Sequence, residues 1–168
     1  MKTQTINVRG NKIVLLTKEK ADYISITDIA RHKNSTEPKD VVKNWMRSKF
    51  TIEFLGLWEK IYNPNFKGVE FDAFMNEAGS NSFVLSPSKW IESTNAIGIM
   101  TKFGNNGGTY AHKDIAFEFA SWISSEMGNP SLLELSGEKK FLLKEVKKSK
   151  IDAVGFEMSG LTKGKISL

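Results

Sequence analysis

Lys39, Lys43 and Arg47 follow one another at intervals of four residues. Four residues is slightly more than one helical turn, so on a helix over 38–48 these cations form one slowly drifting stripe. At 100° per residue, Val41, Val42, Trp45 and Met46 share one arc. Lys43, Asn44 and Arg47 fall opposite, with Lys39 at the border. Taken alone, such a stripe is more often a solvated face than a ligand site. Its surroundings add weight, because residues 31–49 hold six lysines and arginines against two acids. Asn44 and Arg47 are also side-chain types that pair bidentately with adenine and guanine in a major groove.

Catalytic arrangements are hard to assemble from the rest of the chain. It has no cysteine, which excludes a thiol nucleophile, a Cys-ligated zinc site and a disulfide framework. Its two histidines, His32 and His112, are too few for a dense metal site. A serine elbow, a His-Glu-x-x-His helix and a phosphate loop ending in Gly-Lys-Ser/Thr are all missing. Gly104-Asn105-Asn106-Gly107-Gly108 looks like a phosphate cradle, but extended Thr109-Tyr110 follows it where a helix N-terminus is needed. Glu70 and Asp72 are two apart, so on a helix they point apart and form no carboxylate dyad. No enzyme, cofactor or metal is expected. A nuclease would need an acidic metal cluster that the spacing does not supply.

The chain is long enough to bury a core without staples, at 168 residues with 40% hydrophobic and 26% charged residues. Its net charge of +5 favours an anionic partner. No apolar run reaches the ~18 residues of a membrane span, and the first residues lack a signal-peptide pattern, so a cytoplasmic protein is expected.

The elements that would position the basic stripe are legible in the patterning. Residues 5–8 alternate, Arg9-Gly10-Asn11 supplies turn chemistry, and 12–16 resume with β-branched apolar residues, which together predict a β-hairpin. An extended piece at 23–26 leads into a short helix over 27–33, capped by Thr27 or Asp28. After a break at 34–38 the basic helix follows, with Pro38 in its first turn. Helices are expected over 51–61 and 69–78, a short one from Pro87 through Ile91, and an apolar one over 112–124. A hairpin over 96–111 carries a polar, glycine-rich tip at 103–107. The helix pair and this hairpin suggest a helix-turn-helix with a wing.

Several stretches in order resemble the KilA-N domain. They include Tyr23-Ile24-Ser25-Ile26-Thr27-Asp28-Ile29-Ala30, Asn44-Trp45-Met46-Arg47 and Thr51-Ile52-Glu53-Phe54-Leu55-Gly56-Leu57-Trp58-Glu59. Asn63-Pro64-Asn65-Phe66, Val69-Glu70-Phe71-Asp72, Leu85-Ser86-Pro87-Ser88-Lys89-Trp90-Ile91 and Asn95-Ala96-Ile97-Gly98-Ile99 continue the series. The most specific stretch runs from Gly107 through Tyr110-Ala111-His112-Lys113-Asp114 to Trp122-Ile123-Ser124. The resemblance covers about residues 5–126. It implies a DNA-binding module of bacteriophages, prophages and large DNA viruses, related to the APSES domain of fungal transcription factors. It also implies a positioning helix at 27–30, a recognition helix at 39–47 and a wing at 104–109.

The expected fold is therefore α+β, winged-helix-like, with a DNA-binding domain over 1–127 and a basic extension over 128–168. Duplex DNA is the expected partner, contacted by Lys39, Lys43, Asn44, Arg47, Lys49, Lys102, Asn105, Asn106, Thr109 and Lys113. Asn44 and Arg47 would read bases, the lysines phosphates, and Asn105 and Asn106 a minor groove or the adjacent backbone. The alternative is an antirepressor that sequesters a repressor protein. Family members continue their last helix as a long charged one, but Met127-Gly128-Asn129-Pro130 interrupts it here. That leaves 138–148 as a separate amphipathic helix with five lysines, expected to dock on the domain or to self-associate.

Overall fold

The computed structural model describes residues 1–8 and 10–126. The expected interruption at 127–130, the helix at 138–148 and the rest of the basic extension lie outside the described residues.

The chain opens with β1 (Lys2–Val8), β2 (Asn11–Lys18) and β3 (Ala21–Ser25), followed by α1 (Ile26–Ala30) and α2 (Pro38–Trp45). Then come α3 (Lys49–Tyr62), α4 (Gly68–Glu77) and α5 (Pro87–Thr94). The hairpin strands β4 (Ile99–Lys102) and β5 (Gly108–His112) lead into α6 (Lys113–Glu126). Among the described residues, the five strands join one antiparallel sheet in the order β1-β2-β3-β5-β4. The fold is α+β, as the patterning predicts.

Alternation decides which sheet face is buried. Ile6, Val8, Ile13, Leu15 and Ile24 enter the main core with Trp45, Ile52, Leu55, Trp90, Ile115 and Phe119. Leu16, Tyr23 and Tyr110 form a smaller apolar cluster with Val14 and Met100. β2 turns into β3 through Glu19 and Lys20, both at positive φ, of 50° and 70°. Two left-handed residues match the twist of the strands they join. Neither is the Gly or Asn that normally signals such a turn, so β3 begins two residues before the extended piece that the patterning predicts.

Three further boundaries differ from expectation. Ser25, rather than Thr27 or Asp28, caps α1, its hydroxyl accepting from the Asp28 N–H at 3.1 Å. That helix stops at Ala30, so the connection to α2 spans 31–37 and is longer than a tight helix-turn-helix break. α2 itself ends at Trp45 instead of 48, with Met46 as its C-cap.

Candidate nucleic-acid interface

α2 is fixed from behind. Val41, Val42, Trp45 and Met46 are buried, as the helical arc predicts. The Trp45 indole N–H donates to Glu118 Oε2 at 2.9 Å, and its ring meets Phe119 edge-on at 5.0 Å, so α6 holds α2. Burial pushes the Glu118 carboxyl up, and the Trp45 bond partly offsets this. Lys39, Lys43 and Asn44 are exposed on the outer face. The Lys43 ammonium stands 3.5 Å from Asp40 Oδ1, an exposed pair of little energetic weight.

α1 is tied to β2 and to the hairpin through buried polar side chains. Asp28 Oδ2 accepts from the Val14 N–H at 3.0 Å, while Oδ1 pairs with the Arg31 guanidinium. Thr27 Oγ1 accepts from the Thr109 N–H at 2.8 Å, tying α1 to β5. Gly108, at φ +151°, sits so close that a Cβ there would lie 2.9 Å from Thr27 Oγ1. At the hairpin tip, Gly104 and Asn106 take positive φ, of 79° and 56°. The Gly107 N–H closes the turn on the Gly104 carbonyl at 2.8 Å, and the Tyr110 hydroxyl donates to the Asn106 carbonyl. Asn105 and Asn106 are exposed, and Lys102 is half-buried at the end of β4.

Not every residue expected to touch DNA stands on an open surface. Arg47 lies beyond the end of α2, half-buried, with Nη2 donating to the Asn81 carbonyl at 2.8 Å. Its own carbonyl accepts from the Gly79 N–H, so Arg47 braces the segment between α4 and α5. Lys49 is exposed at the first position of α3. Thr109 and Lys113 are buried. Burial lowers the Lys113 pKa, against the pull of Asp114 and Asp22. The reason is register: Lys113 follows the last residue of β5 and turns inward with the start of α6. His112 takes the packing role expected of it, 4.9 Å from the Trp58 ring, with Nδ1 3.2 Å from Asp114 Oδ2.

Two features of this region lie outside the residues that the sequence points to. Phe103, at the hairpin tip, is 87% exposed. Glu59, in the last turns of α3, is buried and accepts from the Ile97 and Gly98 N–H groups and from Asn63 Nδ2. It thus orients the chain leading into β4. The available signal was its place on the inner arc of α3, four and seven residues after the apolar Leu55 and Ile52.

The KilA-N domain model matches residues 6–129. The chain belongs to the KilA-N domain family. KilA-N domains are DNA-binding domains, and the match takes in the basic helix, its support and the whole hairpin. No curated protein and no solved structure matches the chain. Among the described residues of this KilA-N chain, no helix is long and apolar enough to cross a membrane.

Proposed function

We propose that this KilA-N domain binds duplex DNA through the outer face of α2, with the β4–β5 hairpin as a wing. The single observation that carries this reading is the division of α2 into a wholly buried apolar arc and an outer face bearing Lys39, Lys43 and Asn44. A helix held this way presents its outward side chains as a rigid set, which groove recognition requires. Lys39, Lys43 and Lys49 neutralise phosphates. Asn44 reads a base edge, adenine being the best match for an amide. Asn105 and Asn106 at the wing tip reach a minor groove or the flanking backbone, and Lys102 supports them. Thr109, Lys113 and Arg47 position these elements from beneath. The biological setting implied by the family resemblance is a regulatory protein of bacteriophage or prophage type, non-enzymatic and acting by sequence-specific binding.

Selection of bound duplexes from a random pool by the full chain tests this, followed by affinity measured against salt. A preferred sequence is expected, with log affinity falling by about 0.9 per neutralised phosphate for each unit of log salt. Reversing the charge of Lys39 and Lys43 should weaken binding to all duplexes alike and flatten that slope. An unchanged slope moves the contact surface elsewhere. Failure to bind any naked duplex, combined with capture of a repressor, favours the antirepressor role.

A further inference from the structure

α3 carries a pattern that the described residues leave unused. Its inner face, including Ile52, Leu55 and Trp58, is buried. On its outer face Phe50, Leu57 and Ile61 are 66%, 58% and 63% exposed, and Phe54 between them is only partly covered. These four residues are spaced by four, three and four positions, the interval of a coiled-coil seam. They share an arc of about 60° on the helix. Single exposed apolar side chains are ordinary, but a row running the length of a helix marks an interaction surface. Glu53 and Lys60, both exposed, sit seven residues apart along one flank of the row.

We propose that this face is a self-association surface, on which α3 packs antiparallel against α3 of a second copy. A two-fold axis through the middle of the seam sets Phe50 against Ile61 of the second copy, and Phe54 against its Leu57. The same rotation brings each Glu53 beside Lys60 of the second copy, so opposite charges meet twice along the flank. An isologous interface needs such self-complementarity, because one patch must fit its own image. The Lys60 ammonium stands 4.6 Å over the ring of Phe71 in α4. The lysine-rich segment 138–148 of the same chain fits the face less well. Lys49 and Lys60 edge the seam with Glu53 between them, so five further lysines would meet mostly like charge. This inference does not depend on the DNA-binding reading.

Sedimentation equilibrium of the full chain, without DNA, tests it. The wild-type chain should be a dimer. Leu57→Lys should be a monomer with unchanged circular dichroism and thermal midpoint, because Leu57 is exposed. Glu53→Lys and Lys60→Glu should each raise the dissociation constant roughly tenfold, for two lost ion pairs and the repulsion that replaces them. Combining the two should restore most of the affinity. A monomeric wild-type chain overturns the proposal, and so does a dimer that Leu57→Lys leaves intact or a double charge swap that restores nothing. If the segment 138–148 covers α3 instead, the wild type is monomeric and Leu57→Lys lowers stability without changing mass, which also overturns it.

Discussion

Thr27 and Asp28 show how two short polar side chains can hold several elements at once. Each is buried, and each accepts a backbone N–H from a strand distant in sequence, Thr109 in one case and Val14 in the other. An N–H that loses its partner inside the protein keeps its full desolvation penalty. Thr27→Val, which preserves shape but removes the acceptor, should therefore cost about 1–3 kcal/mol. Hydrogen exchange should localise that loss to the Thr109 amide, and equal protection in the variant would refute the role. The same reasoning separates Asn44 from Arg47. Asn44 is exposed, so Asn44→Ala should leave stability unchanged and relax preference at one or two base pairs, by about 1–3 kcal/mol for a bidentate contact. Arg47→Ala removes the bond to the Asn81 carbonyl, so its effect should appear in the thermal midpoint more than in the preferred sequence. Selected sites and melting curves for both variants distinguish the two.

At the scale of elements, α2 has little to hold it without α6. It has only eight residues, too few for a helix to be stable alone, and its N-cap Glu37 makes no side-chain capping bond. Packing of Trp45 against Phe119 and its indole bond to Glu118 supply what propensity does not. Trp45→Ala should destabilise the domain by about 3–5 kcal/mol, the usual cost of deleting a buried large aromatic. Trp45→Phe should cost less but leave Glu118 without its donor. If urea unfolding shows Trp45→Ala to be neutral, the basic face is supported from somewhere other than α6. α3 has a comparable dependence at its far end, where Glu59 gathers the Ile97 and Gly98 amides and Asn63. Glu59→Ala strands three donors at once and should cost about 3 kcal/mol or more.

Across the whole molecule, buried carboxyls set the pH dependence of stability. Burial raises the pKa of Glu59, against bonds from Ile97, Asn63 and Gly98, and likewise that of Glu118. In each case the folded protein binds the proton more readily than the unfolded chain. Their contribution to stability is therefore fully present below the ordinary carboxyl value and is lost as pH rises through the raised ones. Asp114 acts in the opposite direction. Burial pushes it up, but His112, Trp58 and Lys113 together outweigh that and hold it below its ordinary value. Its contribution is present above the ordinary aspartate range and disappears in stronger acid. Stability should accordingly rise as pH falls from neutral toward the ordinary carboxyl range and fall again in acid below the ordinary aspartate range. Glu118→Gln keeps an acceptor for Trp45, so it should flatten the upper part of that curve with little loss at its maximum. Denaturant midpoints at a series of pH values check both limbs, and an unchanged upper limb in the variant would show that Glu118 does not contribute.

The succession of elements, the α+β class and the buried arc of α2 were legible in the sequence because they depend on local periodicity. Val41, Val42, Trp45 and Met46 declare an inward face whatever they pack against, and Gly104 and Asn106 declare a turn by tolerating positive φ. Family membership was legible for a similar reason, since its motifs are short and ordered along the chain. The turn at Glu19-Lys20 was hidden because tertiary pairing of β2 with β3 imposes left-handed backbone on residues that do not ask for it. Ser25, Thr27 and Asp28 all had the chemistry of a cap. Only the fold decided that Ser25 serves the helix while the other two reach across to Thr109 and Val14. The burial of Lys113, the bracing role of Arg47 and the exposed row on α3 were decided in the same way. Each depends on which side of an element faces a neighbour, and that is fixed by contacts between residues far apart in the chain, whose pairing no local pattern encodes.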